Sequence, residues 1–225
     1  MNMDKKLLLQ ALTKYFMGIF CVGVLIFLPA GTFQYWNGWL FMGILFIPML
    51  FTLIILMLKN PSLLEKRLHT KEKEQKQKMV IALSCLMFLF GFIIAGLNYR
   101  YSWLIIPNSI SIIFAVLFLI EYALYAEVLR ENIYLFRTVE VQKNQKVIDT
   151  GLYGIIRHPM YLITILLFLS IPLILGSIIS FFVFCAYPFI IVKRIKNEEE
   201  ILEKHLEKYT EYKQKVKYRL IPFVW

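Results

Sequence analysis

Charged and reactive residue types are scarce in this sequence of 225 residues. Charged residues make up 18% of it, and there are 3 cysteines and 3 histidines. The cysteines, Cys21, Cys85 and Cys185, have no C-x-x-C spacing and lie within apolar runs, which favours packing roles over disulfides or metal sites. Walker, Rossmann and H-E-x-x-H patterns are missing from the sequence. We therefore expect neither a standard nucleotide-binding fold nor a bound metal.

Hydrophobic residues, by contrast, make up 59% of the sequence, and the mean hydropathy is +0.64. Apolar runs of roughly 18 or more residues with few charges predict membrane-spanning helices. Four runs are good candidates: 15–30, 36–58, 79–97 and 103–121. Two shorter runs, 161–175 and 177–192, are separated by Gly176 and resemble a tight helical hairpin. We predict an all-α integral membrane protein with about six transmembrane helices.

The basic residues predict how this protein lies in the membrane. All of them fall outside the apolar runs and, with six spans, every one except Arg100 lies on the same side. Because cytoplasmic segments carry the Lys and Arg excess, we expect a multi-pass protein with both termini in the cytosol, in the cell membrane if the organism is a prokaryote. This topology and nearby anionic lipid explain the net charge of +10. No nucleic-acid partner is expected.

Polar residues collect where the fifth run begins, in the stretch TGLYGIIRHPMYL. Pro159 suits the first turn of a helix, so Arg157 and His158 should lie at the helix start, between Tyr153 and Tyr161. The positive end of the helix dipole favours an anion such as a carboxylate there. The alternative interpretation is an interfacial belt, since Arg, His and Tyr all favour that depth.

Three consecutive glutamates, Glu198 to Glu200, follow the sixth run and are predicted to begin an amphipathic helix. Its apolar side would consist of Leu202, Leu206 and Tyr209. Because the fifth and sixth helices are antiparallel, the glutamates and the R-H-P cluster should return to the same membrane face. An anion-favouring helix start beside carboxylates suits a zwitterionic ligand. Alternatively, the glutamates form ion pairs along their own helix, with Lys193, Arg194 and Lys204.

Two other features are less specific. Alternating polar and apolar residues in 138–151 predict a short β-hairpin or an extended flap on the cytosolic face. Glu121 ends the fourth apolar run, and an acid at this depth is a functional candidate by default. An ordinary position at the membrane interface is the alternative for Glu121.

These motifs together resemble the isoprenylcysteine carboxyl methyltransferase family in its prokaryotic form, and phospholipid methyltransferases share the general pattern. The shared order is G-x-Y-x₃-R-H-P-x-Y, an apolar hairpin, E-E-x₂-L, Y-x₂-Y and I-P. In this sequence the elements are Gly151, Tyr153, Arg157, His158, Pro159 and Tyr161, then Glu198, Glu199 and Leu202, then Tyr209, Tyr212, Ile221 and Pro222. The similarity covers about residues 130–225. Ile163 departs from the family, which often has a glycine at that place.

The resemblance implies a membrane enzyme that uses S-adenosylmethionine and methylates a lipophilic acceptor, either a carboxylate such as prenylcysteine or a lipid amine, that enters from the bilayer. It implies one membrane domain, 1–225, with four transmembrane helices in 1–129 and the cofactor-binding region in 130–225. The cofactor residues would be Tyr153, His158, Pro159, Tyr161 and Glu198. The catalytic residues would be Arg157, which could hold an acceptor carboxylate, and Glu199, which could act as base for an amine.

Two other functions stay open at this stage. A sterol-type membrane reductase could have a similar helical arrangement and would bind a nicotinamide cofactor, although Arg-rich contacts for its phosphates are missing from the sequence. A non-catalytic membrane subunit or small transporter would place polar residues in mid-membrane, where only Glu121 comes close.

Overall fold

A computed structural model describes residues 5–59, 61–68, 75–132, 134, 141 and 145–225. Within these ranges the chain is all-helical, as predicted. The helices are α1 (Lys5–Ala30), α2 (Trp36–Lys59), α3 (Pro61–Leu68), α4 (Gln75–Tyr101), α5 (Asn108–Glu131), α6 (Pro159–Ile174), α7 (Ile178–Phe184), α8 (Ala186–His205) and α9 (Tyr209–Lys215). A 3₁₀ turn, Gly151–Gly154, precedes α6. Positions 138–140 and 142–144 of the predicted β-hairpin lie outside the described residues, and its described positions, 141 and 145–151, form no strand.

Among the described residues, five helical segments are long and apolar enough to cross a membrane: α1, α2, α4, α5 and the continuous unit Ile178–His205, which joins α7 to α8. The remaining apolar helix, α6, has 16 residues. At 1.5 Å per residue it is about 24 Å long, which is less than the roughly 30 Å of the hydrocarbon core. The prediction of about six spans therefore corresponds to five candidate spans and one shorter apolar helix.

The fourth span begins later than predicted because of Pro107. A residue before proline is pushed out of the helical region, and α5 starts only at Asn108. The preceding residues instead join the turn between α6 and α7: Ile105 forms an isolated antiparallel bridge with Ser177, and the amide of Ile106 donates to the carbonyl of Gly176. Gly176 has a φ of +73°, a left-handed conformation that glycine adopts without strain.

Helix packing brings the two halves of the chain together. Helix α1 packs along α4, and α5 packs along α6. A Cβ added at Gly96 of α4 would lie 2.6 Å from the carbonyl oxygen of Ile26, so this glycine permits the close approach of α1. Glu121 accepts hydrogen bonds from Ser170 at 3.1 and 3.3 Å, which places this acid in the α5–α6 contact.

The C-terminal part differs from the prediction of a new amphipathic helix that begins at the glutamates. The apolar part of α8 ends at Val192, and the same helix continues as a polar extension to His205, so Glu198 to Glu200 lie inside α8. The chain then turns at Lys208, whose φ is +63°, into α9. The expected helix is therefore divided in two, although its apolar residues still form one cluster: Leu202, Leu206, Tyr209, Tyr212 and Val216.

Candidate active site

The start of α6 lies against the C-terminal segment of the chain. The backbone amides of Arg157 and His158 donate to the carbonyls of Tyr218 and Arg219, at 2.9 and 3.0 Å. The Nη1 atom of Arg157 donates to two further carbonyls of the same segment, at 2.6 and 2.8 Å. Four hydrogen bonds thus join residues 157–158 to residues 216–219, and the guanidinium of Arg157 is buried in this junction.

Glu199 lies at the centre of the junction. One carboxylate oxygen accepts from Arg157 Nε at 2.8 Å and from His158 Nε2 at 3.1 Å, and the other accepts from Arg219 Nε at 2.8 Å. Burial by itself raises the pKa of the Glu199 carboxyl, but the hydrogen bonds from His158, Arg157 and Arg219 outweigh burial and hold that pKa well below its usual range. Glu199 is therefore ionised at neutral pH and links α8, the start of α6 and the C-terminal segment.

Glu198 faces a different direction. It accepts a hydrogen bond from the hydroxyl of Tyr161, and the same hydroxyl accepts one from Arg194 Nε at 2.8 Å. The rings of His158 and Tyr161 stack with their centroids 5.7 Å apart. A second polar chain thus runs from Arg194 through Tyr161 to Glu198, one helical turn from the Glu199 cluster.

Glu200, the third glutamate, is exposed and forms an ion pair of 3.0 Å with Lys76 of α4. The alternative interpretation, ion pairs along the helix, had expected basic partners within α8. The structure instead places the described partner of Glu200 on a neighbouring helix. The three adjacent glutamates therefore differ in environment: Glu198 lies on the pocket wall, Glu199 in a buried ionic cluster and Glu200 at the surface.

A pocket with an empty volume of about 820 Å³, including its open part, lies between the start of α6, α8, α9 and residues 145–148. Its walls include Tyr153, His158, Tyr161, Glu198, Tyr209 and Tyr212. The hydroxyl of Tyr153 is buried and forms no hydrogen bond of 3.5 Å or less in the described part of the chain; burial raises its pKa, and the nearby side chain of Asn132 offsets part of this rise. A buried hydroxyl without a partner suits a bound ligand.

The structure thus brings most of the predicted site residues to one pocket. Tyr153, Arg157, His158, Tyr161 and Glu198 all line it. The other two predicted residues do not: Pro159 is fully buried as the first residue of α6, and Glu199 lies behind the pocket wall. Ile163, the departure from the family pattern, is also buried away from the pocket lining.

A second cavity, here called the groove, adjoins the pocket within the apolar part of the protein. It lies between α4, α5, α6 and α8, has an empty volume of about 1220 Å³ including its open part, and is lined mainly by apolar and aromatic residues. Met160, Tyr161 and Arg194 line both cavities. Arg194 was not predicted as a site residue, although its position at the end of an apolar run, four residues before Glu198, was the available signal.

Comparison with known proteins bears on this part of the chain. Residues 110–209 match the sequence model of a family described as phospholipid methyltransferase. This match supports a membrane methyltransferase. It runs from α5 to the first residue of α9, and so includes the R-H-P cluster, the glutamates and the α5, α6 and α8 walls of the groove.

One curated protein with a different activity is also similar. The Delta(14)-sterol reductase TM7SF2 of Mus musculus is 29% identical over 91 residues, which are 39% of this chain and 22% of the reductase. The chain therefore spans about a fifth of the length of this relative. Such a short and partial likeness does not favour the reductase over the methyltransferase.

Proposed function

We propose that this protein transfers a methyl group from S-adenosylmethionine to a lipophilic acceptor, a carboxylate such as that of a prenylcysteine or a lipid amine, at the cytosolic face of a membrane. The observation that carries the proposal is the junction of two unlike cavities at Tyr161 and Arg194. A polar pocket on one side suits a soluble zwitterionic cofactor, and an apolar groove on the other suits a lipid-like acceptor.

The residues around the pocket fit S-adenosylmethionine. Glu198 offers a negative charge to the amino group of the cofactor, and His158 at the positive end of α6 favours its carboxylate. The hydroxyl of Tyr153, which lacks a partner in the described part of the chain, would gain one from a ligand. When bound, the cofactor supplies a methyl group on a positively charged sulfur.

The protein contributes mainly position and a dry environment. Methyl transfer from a sulfonium is an in-line displacement, so alignment of the two reactants at the Tyr161–Arg194 junction provides much of the rate. The apolar walls of the groove exclude water and strengthen charge interactions at its polar end. Arg194 is the cation at this end, and we assign to it the attraction of an acceptor carboxylate.

This proposal revises the roles predicted for Arg157 and Glu199. Both side chains are 4% exposed and each binds the other, so we assign them as positioning residues that hold the C-terminal segment against α6. A carboxylate acceptor is already ionised at neutral pH and needs no base. An amine acceptor would release its proton to Glu198, the glutamate on the pocket wall.

The cytosolic location of the site is part of the proposal and is supported by the distribution of Lys and Arg. Single cysteines at the exposed Lys78 and the half-buried Lys213 should react with a membrane-impermeant maleimide only from the cytosolic side, and a cysteine at the exposed Ser102 only from the opposite side. Labelling of positions 78 and 213 from opposite faces would separate the two halves of the site.

The decisive experiment is a calorimetric titration of the protein in detergent with S-adenosylmethionine, S-adenosylhomocysteine and NADPH. We expect both adenosyl ligands to bind and NADPH not to bind. Incubation with S-adenosylmethionine labelled in its methyl group, with a farnesylcysteine analogue or phosphatidylethanolamine, then identifies the acceptor class. Binding of NADPH without the adenosyl ligands would overturn the proposal in favour of a reductase.

A further inference from the structure

The structure contains a third cavity, here called the chamber, on the other side of α5 from the groove. Helices α1, α2 and α5 form its walls, and Leu64 and Leu68 of α3 cover it. Its empty volume is about 1210 Å³, including its open part, and its lining is largely apolar. The proposed methyl transfer uses neither this cavity nor α3.

The chamber has a charged mouth. Lys14 is the only charged side chain among the described residues that line it, and its Nζ donates to the carbonyl of Leu68. In the described part of the chain Lys14 forms no ion pair with a carboxylate. A single uncompensated cation at the mouth of an apolar cavity, within membrane-spanning helices, matches the two parts of an anionic lipid.

The chamber is separate from the groove. Tyr125 and Leu129 of α5 line both cavities, and the other lining residues differ: α1 and α2 on one side, α4, α6 and α8 on the other. A lipid in the chamber would therefore contact the wall of the groove without entering it. Its phosphate would lie at Lys14, away from the Tyr161–Arg194 junction.

We propose that the chamber is a second lipid site, which binds one acyl chain of an anionic phospholipid and places its phosphate at Lys14. The hydroxyls of Thr52 and Tyr122 on the chamber wall lie 3.3 Å apart and form a hydrogen bond with each other. The lipid supports α3 and the α2–α5 face from outside the methyl-transfer site. The site does not depend on the proposed function.

Native mass spectrometry tests this proposal. Phosphatidylglycerol and phosphatidylcholine of equal chain length are added to the delipidated protein in detergent, and the lipids that stay bound are measured. The wild-type protein should retain one phosphatidylglycerol about fivefold more tightly, the affinity equivalent of the ~1 kcal/mol that one basic residue contributes near anionic lipid. Lys14→Gln should remove this preference. Lys5→Gln, a matched change at an exposed lysine of the same helix outside the chamber, should retain it.

A second pair of variants tests the cavity itself. Ala126→Trp places an indole in the chamber and should weaken binding of both lipids at least tenfold. Ala123→Trp, at an exposed alanine of the same helix that lines none of these cavities, should leave binding unchanged. Wild-type-like lipid retention by Ala126→Trp, or equal binding of the two lipids by the wild type, would overturn the proposal. Titration of the same variants with S-adenosylmethionine reports separately on the proposed function.

Discussion

Replacement of Glu199 by glutamine removes one charge from a buried cluster while it conserves side-chain size. The side chains of Glu199 and Arg157 are each 4% exposed, so the guanidinium would remain buried without its counter-charge. Removal of one partner from a buried ion pair costs about 3–5 kcal/mol. The matched change is Glu200→Gln, next in the sequence, which breaks a pair whose side chains are 55% and 67% exposed. Such surface pairs contribute about 0–1 kcal/mol.

These energies translate into separable unfolding temperatures. For a protein of about 150–250 residues, 1 kcal/mol shifts the unfolding midpoint by roughly 2–4 °C. We therefore expect the apparent midpoint in detergent, followed by tryptophan fluorescence, to fall by about 6–20 °C for Glu199→Gln. For Glu200→Gln the fall should be at most about 4 °C.

Limited proteolysis gives an independent readout of the same cluster. Glu199 holds Arg157 and Arg219, and these residues fix the C-terminal segment, so Glu199→Gln should expose residues 216–219 to trypsin before the rest of the protein unfolds. Equal midpoints and equal cleavage rates for the two variants would refute the cluster as the link between α6, α8 and the tail. The acidic run would then be an ordinary solvated helix face.

Three further predictions concern the same region. Trp225→Ala removes the ring over which the Arg219 guanidinium lies, 5.2 Å from the ring centroid. This change should weaken S-adenosylmethionine binding about two- to thirtyfold, measured by calorimetry. Val224→Ala, at an exposed neighbouring residue, should have no effect on this binding. Tyr153→Phe should leave the unfolding midpoint of the ligand-free protein unchanged or higher, because the lost hydroxyl forms no hydrogen bond in the described part of the chain. The same variant should weaken cofactor binding about two- to tenfold. The pKa of the Glu199 carboxyl is lowered in the folded state. The stability that the ionised carboxylate contributes to the folded protein is therefore complete above the unfolded-state pKa of about 4.3 and is lost as the pH falls further. The difference in unfolding midpoint between wild type and Glu199→Gln should be constant above about pH 5 and should shrink at lower pH.

The elements that sequence reasoning predicted well are those with long, regular signals. Hydropathy runs located α2, α4 and α6 to within a few residues of each end. In contrast, α1 extends back to Lys5, α5 is displaced to Asn108–Glu131, and the last span continues to His205. Pro159 does begin α6, as its missing amide hydrogen predicts. The antiparallel return of α8 toward the start of α6 follows from the same runs, and it brings Glu198 beside Tyr161.

The division of roles among the glutamates had no comparable signal. Successive residues in a helix point about 100° apart, so three neighbours must face three directions. The sequence does not say which of them meets the pocket, because that depends on the rotation of α8 against α6. The backbone bonds between residues 157–158 and 218–219 were also unpredictable, since they join segments about 60 residues apart and involve no side chain.

The buried pairing of Arg157 and Glu199 has a consequence for how the motif relates to chemistry. These two residues are prominent in the sequence pattern, yet Arg157 forms its hydrogen bonds with Glu199 and with carbonyls of the C-terminal segment. Tyr153, Glu198 and Arg194 line the pocket, and Arg194, which also lines the groove, lies outside the resemblance motifs altogether. Within the pattern, Arg157, Pro159 and Glu199 therefore form the scaffold beside the pocket, whereas His158 and Glu198 lie on its wall. In the proposed function the acceptor would be selected by the groove and by Arg194, the one cation among the described residues that line it, so variants of Arg194 and of the groove wall should change acceptor preference while cofactor binding persists.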